Sequence, residues 1–271
     1  MEFRTIVDVE KPGFEIGPCE AMLFVGSCFA DAIGRRFRAE GFPVTVNPFG
    51  TMYNPVSVLH TLQRYEGTIP RIVFLTLGTN HVYRLKATGE IVDNCEKRPQ
   101  SLFQEEELTV AECSAALREA VTLLQQRNPD VCVVFTVSPI RYRKYGCHGS
   151  QLSKATLLLA VDDVIAHSSS LMAHCFYFPA YEIVADELRD YRFYAADMLH
   201  PSEQAADYIW ERLTEACLSP AAKTFLREWE PVKQALAHKP FRPDAPEYRE
   251  FMDKTMLKLM ALRKKYPTFA L

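Results

Sequence analysis

Five short apolar runs, at residues 22–25, 43–46, 72–77, 131–137 and 176–183, constrain the fold of this chain more than any other feature. They are rich in Val, Ile and Phe and lack the clean alternation of a strand with one wet face, so they read as strands buried on both sides. Between them lie stretches with apolar residues at three- and four-residue spacing, at 29–40, 56–65, 105–126 and 153–172. A last one, 201–217, follows the fifth run and places Ala205, Ile209, Leu213 and Ala216 on one side. This alternation of strand and helix predicts an α/β fold, a three-layer α/β/α sandwich around a five-stranded parallel sheet. Right-handed crossovers leave few topologies, and the order 2-1-3-4-5 puts a ligand site at the carboxyl ends of the strands, near the switch point between strands 1 and 3.

At 271 residues the chain suits one large domain with an appendage, here residues 1–218 followed by a helical C-terminal extension over 219–271 that is broken by Pro231, Pro240, Pro243 and Pro246. Its basic run 254–265 is interleaved with Leu257, Met260 and Leu262 and reads as the solvated face of an amphipathic helix. The 34 acidic and 31 basic residues leave a formal charge of −3, so no global field favours nucleic acid or an anionic membrane. A small or neutral partner is expected. The start lacks a secretory apolar run and no window approaches a membrane span, which predicts a cytoplasmic location. The eight scattered cysteines show no C-x-x-C pair and read as reduced, mostly small core residues. Two segments exceed a minimal unit: 81–103, with a hairpin expected around Ala87-Thr88-Gly89-Glu90, and the basic, glycine-containing 141–151. Both follow strand ends and are placed to roof the site.

Strand 1 ends in Phe24-Val25-Gly26-Ser27-Cys28, followed at once by a helical pattern. A serine there is either a helix N-cap or a nucleophile whose own amide points, with its neighbours, toward developing negative charge. After strand 5 comes Ala196-Asp197-Met198-Leu199-His200-Pro201. Its three-residue spacing lets the Asp197 carboxylate hold one imidazole nitrogen of His200 and leave the other facing outward. A serine hydroxyl attacks only when a neutral imidazole takes its proton and a carboxylate fixes that imidazole, so Ser27, Asp197 and His200 together form a candidate catalytic triad. Gly50, in Asn47-Pro48-Phe49-Gly50-Thr51, and Asn80, in Gly78-Thr79-Asn80, follow strands 2 and 3 and are candidate oxyanion donors beside the Ser27 amide. Cys28 reads as a buried small residue rather than a reactive thiol. Tyr53, Tyr83, Arg141, Tyr142 and Arg143 are candidates to line the pocket. His81, His148, His167 and His174 lack metal-ligand spacing, so neither a catalytic metal nor a cofactor is expected.

The sequence Gly26-Ser27-Cys28-Phe29-Ala30 resembles the signature of the GSCFA family, a bacterial branch of the SGNH (GDSL-like) hydrolase superfamily. The likeness runs through Asn47-Pro48-Phe49-Gly50-Thr51-Met52-Tyr53-Asn54-Pro55, Leu77-Gly78-Thr79, Ser138-Pro139, Asp190-Tyr191-Arg192-Phe193-Tyr194 and Asp197-Met198-Leu199-His200-Pro201. It covers roughly residues 1–218. The resemblance implies a flavodoxin-like sandwich, Ser27 as nucleophile, Asp197 and His200 as its partners, and an oxyanion hole from the Ser27 amide, Gly50 and a strand-3 asparagine. Asn94 falls in a shared segment and is an alternative amide donor. The activity expected is hydrolysis of a carboxylic ester, an O-acetyl or short acyl group on a carbohydrate or another small molecule, with acyl transfer by the same triad or a non-catalytic binding role as alternatives.

Overall fold

The structure, a computed structural model, describes residues 4–167, 174–242 and 244–271. Its central sheet is parallel, in the order β2-β1-β3-β7-β8, and comprises β1 (Met22–Gly26), β2 (Val44–Val46), β3 (Ile72–Leu77), β7 (Cys132–Val137) and β8 (His174–Tyr177). This is the expected 2-1-3-4-5 order. Because successive side chains of a strand point to opposite faces, Phe24, Phe74 and Val134 enter one core while Leu23, Val73 and Val133 enter the other. The first core is closed by α1 (Cys28–Ala39), α6 (Glu203–Cys217), α7 (Pro220–Ala237) and α8 (Pro246–Lys265), and is rich in aromatic rings. The second is aliphatic and is closed by α2 (Pro55–Arg64), α3 (Val110–Arg127) and α4 (Gly146–Ala166).

The extension packs on the first core. Phe225 and Trp229 of α7 meet Phe269 edge to face, and Phe225 also meets Phe42. Such ring pairs add roughly 1 kcal/mol each beyond the area they bury. Gly41, at φ +79°, leaves the room that Phe269 fills.

Several boundaries differ from the sequence reading. The fifth strand runs over His174–Tyr177 and stops before Pro179, which opens the short helical turn α5 (Ala180–Glu182) and its π-helical continuation Ile183–Glu187. The helix expected from residue 105 starts at Val110, behind a Thr109–Glu112 capping box. Residues 103–107 instead form β6 (Phe103–Glu107), which pairs antiparallel with β4 (His81–Leu85), itself paired with β5 (Ile91–Val92). The expected hairpin thus exists as part of a small three-stranded sheet. The helix expected over 153–172 begins at Gly146, and its predicted end lies outside the described residues. The segments 81–103 and 141–151 meet where Tyr145 stacks on His81 with ring centres 3.6 Å apart, and Lys144 pairs with Glu105, just beyond the first of them, at 2.7 Å.

Candidate active site at the carboxyl rim

β1 ends in Gly26 at φ +143°, where a Cβ would overlap the Thr76 carbonyl oxygen. Only glycine allows that approach, and it lets β1 pair with β3 as far as Gly26 opposite Thr76. Asn47 ties the second strand to the same point, accepting from the Gly26 N–H at 2.8 Å and donating to Asp31 at 2.9 Å. The chain then enters α1 through Ser27, whose Oγ accepts from the Phe29 N–H at 3.3 Å and lies 3.4 Å from Thr76 Oγ1. Ser27 is therefore the N-cap of α1, with its hydroxyl turned toward the sheet and only 1% of the residue exposed. Cys28, the first residue of the helix, is partly exposed and places its Sγ 3.6 Å from His200 Nε2.

The Asp197–His200 contact is made by a tight turn ahead of α6. Asp197 Oδ1 accepts the N–H groups of Leu199 and His200 at 2.9 and 3.0 Å, and Oδ2 takes His200 Nδ1 at 2.6 Å. Met198 sits in the left-handed region at φ +60°, and the Ala195 N–H closes the turn on the His200 carbonyl at 2.8 Å. The His200 and Leu199 N–H groups, with the imidazole, hold the Asp197 carboxyl down to about 2. An ionised Asp197 keeps the proton on Nδ1 and leaves Nε2 as the acceptor. Arg141 braces the arm from outside: its N–H donates to the Leu199 carbonyl at 3.2 Å and its guanidinium stacks 4.0 Å from the centre of the Tyr194 ring.

The three expected oxyanion donors are engaged in internal bonds. The Ser27 N–H donates to the Thr76 carbonyl at 3.0 Å, and the Gly50 N–H donates to the Asn47 carbonyl at 2.9 Å. Asn80 Nδ2 donates to the Leu108 carbonyl at 2.8 Å, in a residue only 3% exposed. All three are thus committed to other groups, while Asn80 Oδ1 is buried with no hydrogen-bond partner among the described residues. Asn94 accepts from the Glu96 N–H at 2.7 Å in an exposed turn. Tyr53 contributes its carbonyl, which accepts the Gly78 and Thr79 N–H groups at 2.7 and 2.8 Å, and its ring meets Tyr142 edge-on.

One charged residue at the rim escaped the sequence reading. Lys154 of α4 is 2% exposed, its Nζ donates to the Gly78 carbonyl at 2.6 Å, and it lies 5.4 Å from the centre of the Tyr142 ring. Burial pushes its amine down to about 7, with Cys28 near enough to act in the opposite sense. The signal was there: Lys154 falls on the stripe of α4 that buries Ser150, Leu157 and Val161, where a charge is out of place.

Two cavities flank the arm. One, of about 610 Å³, is lined by Cys28, Phe29, Ile140, Ala195, His200 and Pro201 among others. The other, of about 420 Å³, is lined by residues including Arg141, Tyr142, Ser150, Tyr191, Asp197 and Leu199. Among the described residues no group of three or more His, Cys, Asp or Glu is arranged to hold a metal ion, and no helix is long and apolar enough to cross a membrane.

Fold and rim together define a doubly wound α/β/α protein with an aspartate–histidine pair held over the first strand's helix entry. The chain belongs to the GSCFA family: residues 21–71 and 67–213 match it, and residues 229–271 match the C-terminal domain of GSCFA domain proteins. No curated protein matches the chain. Among solved structures it is similar to a GDSL-like lipase from Bacteroides thetaiotaomicron, with 13% identity over 73% of this chain and 86% of that one and a TM-score of 0.46. It is also similar to a carbohydrate esterase family 3 protein from Talaromyces cellulolyticus, with 10% identity over 77% of this chain and 99% of that one and a TM-score of 0.43.

Proposed function

We propose that this protein hydrolyses carboxylic esters, with a short acyl group such as acetyl on a carbohydrate as the substrate class, through an acyl-enzyme formed at the Ser27–Cys28 turn. The observation that carries this reading is the pinned imidazole. His200 Nδ1 is held by Asp197 at 2.6 Å while Nε2 faces the turn at the carboxyl end of β1. An imidazole so fixed takes a proton from an attacking group and returns it to the leaving alkoxide. Ser27, the nucleophile expected from the sequence, acts in this scheme once its hydroxyl leaves the Phe29 N–H and swings from Thr76 toward Nε2. The His200 side chain is 47% exposed, so water reaches the acyl-enzyme, which favours hydrolysis over transfer to a second hydroxyl.

Turnover of p-nitrophenyl acetate by the purified protein, set beside His200→Ala, tests the reading. The variant is expected to lose about 10³-fold in kcat/KM. Equal turnover by the two proteins sinks it.

A further inference from the structure

We infer that the substrate ester is acidic: the alcohol that leaves from His200 belongs to a sugar bearing a carboxylate, which Arg141 and Arg143 hold in the cavity beside the Asp197–His200 arm; the inference rests on the ester-cleaving reading above. The leaving oxygen has to lie within reach of His200 Nε2 to take a proton, so the rest of the alcohol occupies one of the two cavities that flank the arm. His200 and Ile140 line the cavity of about 610 Å³, while their chain neighbours Leu199 and Arg141 line the one of about 420 Å³. Consecutive Cα atoms are about 3.8 Å apart. The wall between the cavities is therefore one residue thick, and a sugar whose ester oxygen sits at His200 reaches the second cavity across it.

The two cavities differ in charge. In the first, Arg35 and Arg36 stand with Glu203 and Asp207, the two carboxylates that hold Arg36, so its charges balance. In the second, neither Arg141 nor Arg143 is paired with a carboxylate among the described residues. Cations nearby are paired: Lys144 holds Glu105 at 2.7 Å, and Arg192 holds Asp190 at 3.0 Å. The Arg141 guanidinium lies over the Tyr194 and Tyr191 rings, 4.0 and 5.4 Å from their centres, and stacking of this kind steadies the plane while its N–H edge stays free to donate. α4 opens on the same cavity through Gly146 and Cys147, with no side chain capping its start and no acid in its first turn, so the positive end of its dipole adds to the two guanidiniums. Asp197 lines the wall as well, but its carboxylate is taken up by the Leu199 and His200 N–H groups and by the imidazole. Among the described residues the wall thus carries two cations and one carboxylate, a single net positive charge, which suits a carboxylate better than a doubly charged phosphate. A guanidinium also presents paired N–H donors that match the two oxygens of a carboxylate, so the contact selects direction as well as charge.

Two measurements test this. In the first, acetate release is followed from methyl glucuronoside and methyl glucoside carrying the same single O-acetyl group, two esters that differ only in a carboxylate against a hydroxymethyl group. The parent is expected to favour the uronate by about 10- to 100-fold in kcat/KM, mostly through KM. That ratio is expected to fall about tenfold in Arg143→Gln and in Arg141→Gln, and further in Arg143→Glu. Equal kcat/KM for the two esters, or a ratio that all three substitutions leave unmoved, overturns the inference and leaves the ester-cleaving reading standing. The second measurement needs no turnover: calorimetric titration of the parent with the two sugars lacking the acetyl group. The glucuronoside is expected to bind at least about tenfold more tightly than the glucoside, with the difference shrinking as salt is raised. Binding that does not differ between them overturns the inference whether or not any ester is cleaved.

Discussion

Two parts of the rim meet at the Ser27–Cys28 turn and treat polarity in opposite ways. The arm over residues 195–201 is open to solvent: Asp197 and His200 have side chains 45% and 47% exposed, and their hydrogen bonds are short-range and charge-assisted. The floor, made of Thr76, Gly78, Thr79, Asn80, Ser153 and Lys154, is almost entirely buried, and its donors are spent on distant carbonyls and hydroxyls. An exposed arm can exchange protons with substrate and water at little cost to the fold. A buried floor can hold geometry, but each of its polar groups left unpaired costs about 1–3 kcal/mol. The division suggests that chemistry lives on the arm and that the floor sets where the turn points.

The largest effect expected from breaking this contrast is on the arm. Asp197→Asn keeps a side-chain oxygen to accept the Leu199 and His200 N–H groups, so the turn should persist. The amide no longer holds Nδ1 protonated or steadies the imidazolium. A loss of about 10³- to 10⁴-fold in kcat is expected, with KM and the circular dichroism spectrum near those of the parent. A loss below tenfold would show that Asp197 only shapes the turn.

The floor answers in stability instead, at Lys154. Its amine is held at about 7 in the folded chain against an ordinary value near 10.5. Between those values the unfolded chain binds more protons than the folded one, so stability contributed at this site rises with pH through that window and is lowest at and below pH 7. Lys154→Met removes the dependence. The variant is expected to be more stable than the parent by on the order of 3 kcal/mol at pH 7, with the gap closing toward pH 10. Paired thermal melts across that range check it, and a gap that does not change with pH would mean that the amine is not held neutral by burial.

The same contrast explains what could be read from residues alone. The sheet order was legible because strands buried on both faces leave unbroken apolar runs. The Asp197–His200 pair was legible because three residues of chain suffice to bring the groups together. The small sheet was hidden, since β6 reads Phe-Gln-Glu-Glu-Glu and its charges are satisfied only by partners far along the chain, Arg84 on Glu106 at 3.0 Å across the ladder and Lys144 on Glu105 at 2.7 Å from outside it. Which of two adjacent residues faces His200 was also hidden. One position along a helix start turns a side chain by about 100°, and Ser27 as cap or as first helical residue differ by that step. The bond from Asn80 to the Leu108 carbonyl was hidden as well, because its two ends lie 28 residues apart in the chain and no local pattern joins them.

Asn80 gives the subtlest prediction and the sharpest division between the two parts. Were its amide an oxyanion donor, Asn80→Ala would cost about 10²- to 10³-fold in kcat. With Nδ2 on the Leu108 carbonyl and the backbone N–H on Ser153 Oγ, the substitution instead strands a buried carbonyl at the junction of β3, β4 and the entry to α3. The expected outcome is a stability loss of about 1–3 kcal/mol by urea denaturation, with kcat within a few-fold of the parent. If kcat falls a hundredfold and the urea midpoint stays put, the floor takes part in the reaction and the division drawn between the two parts of the rim is wrong.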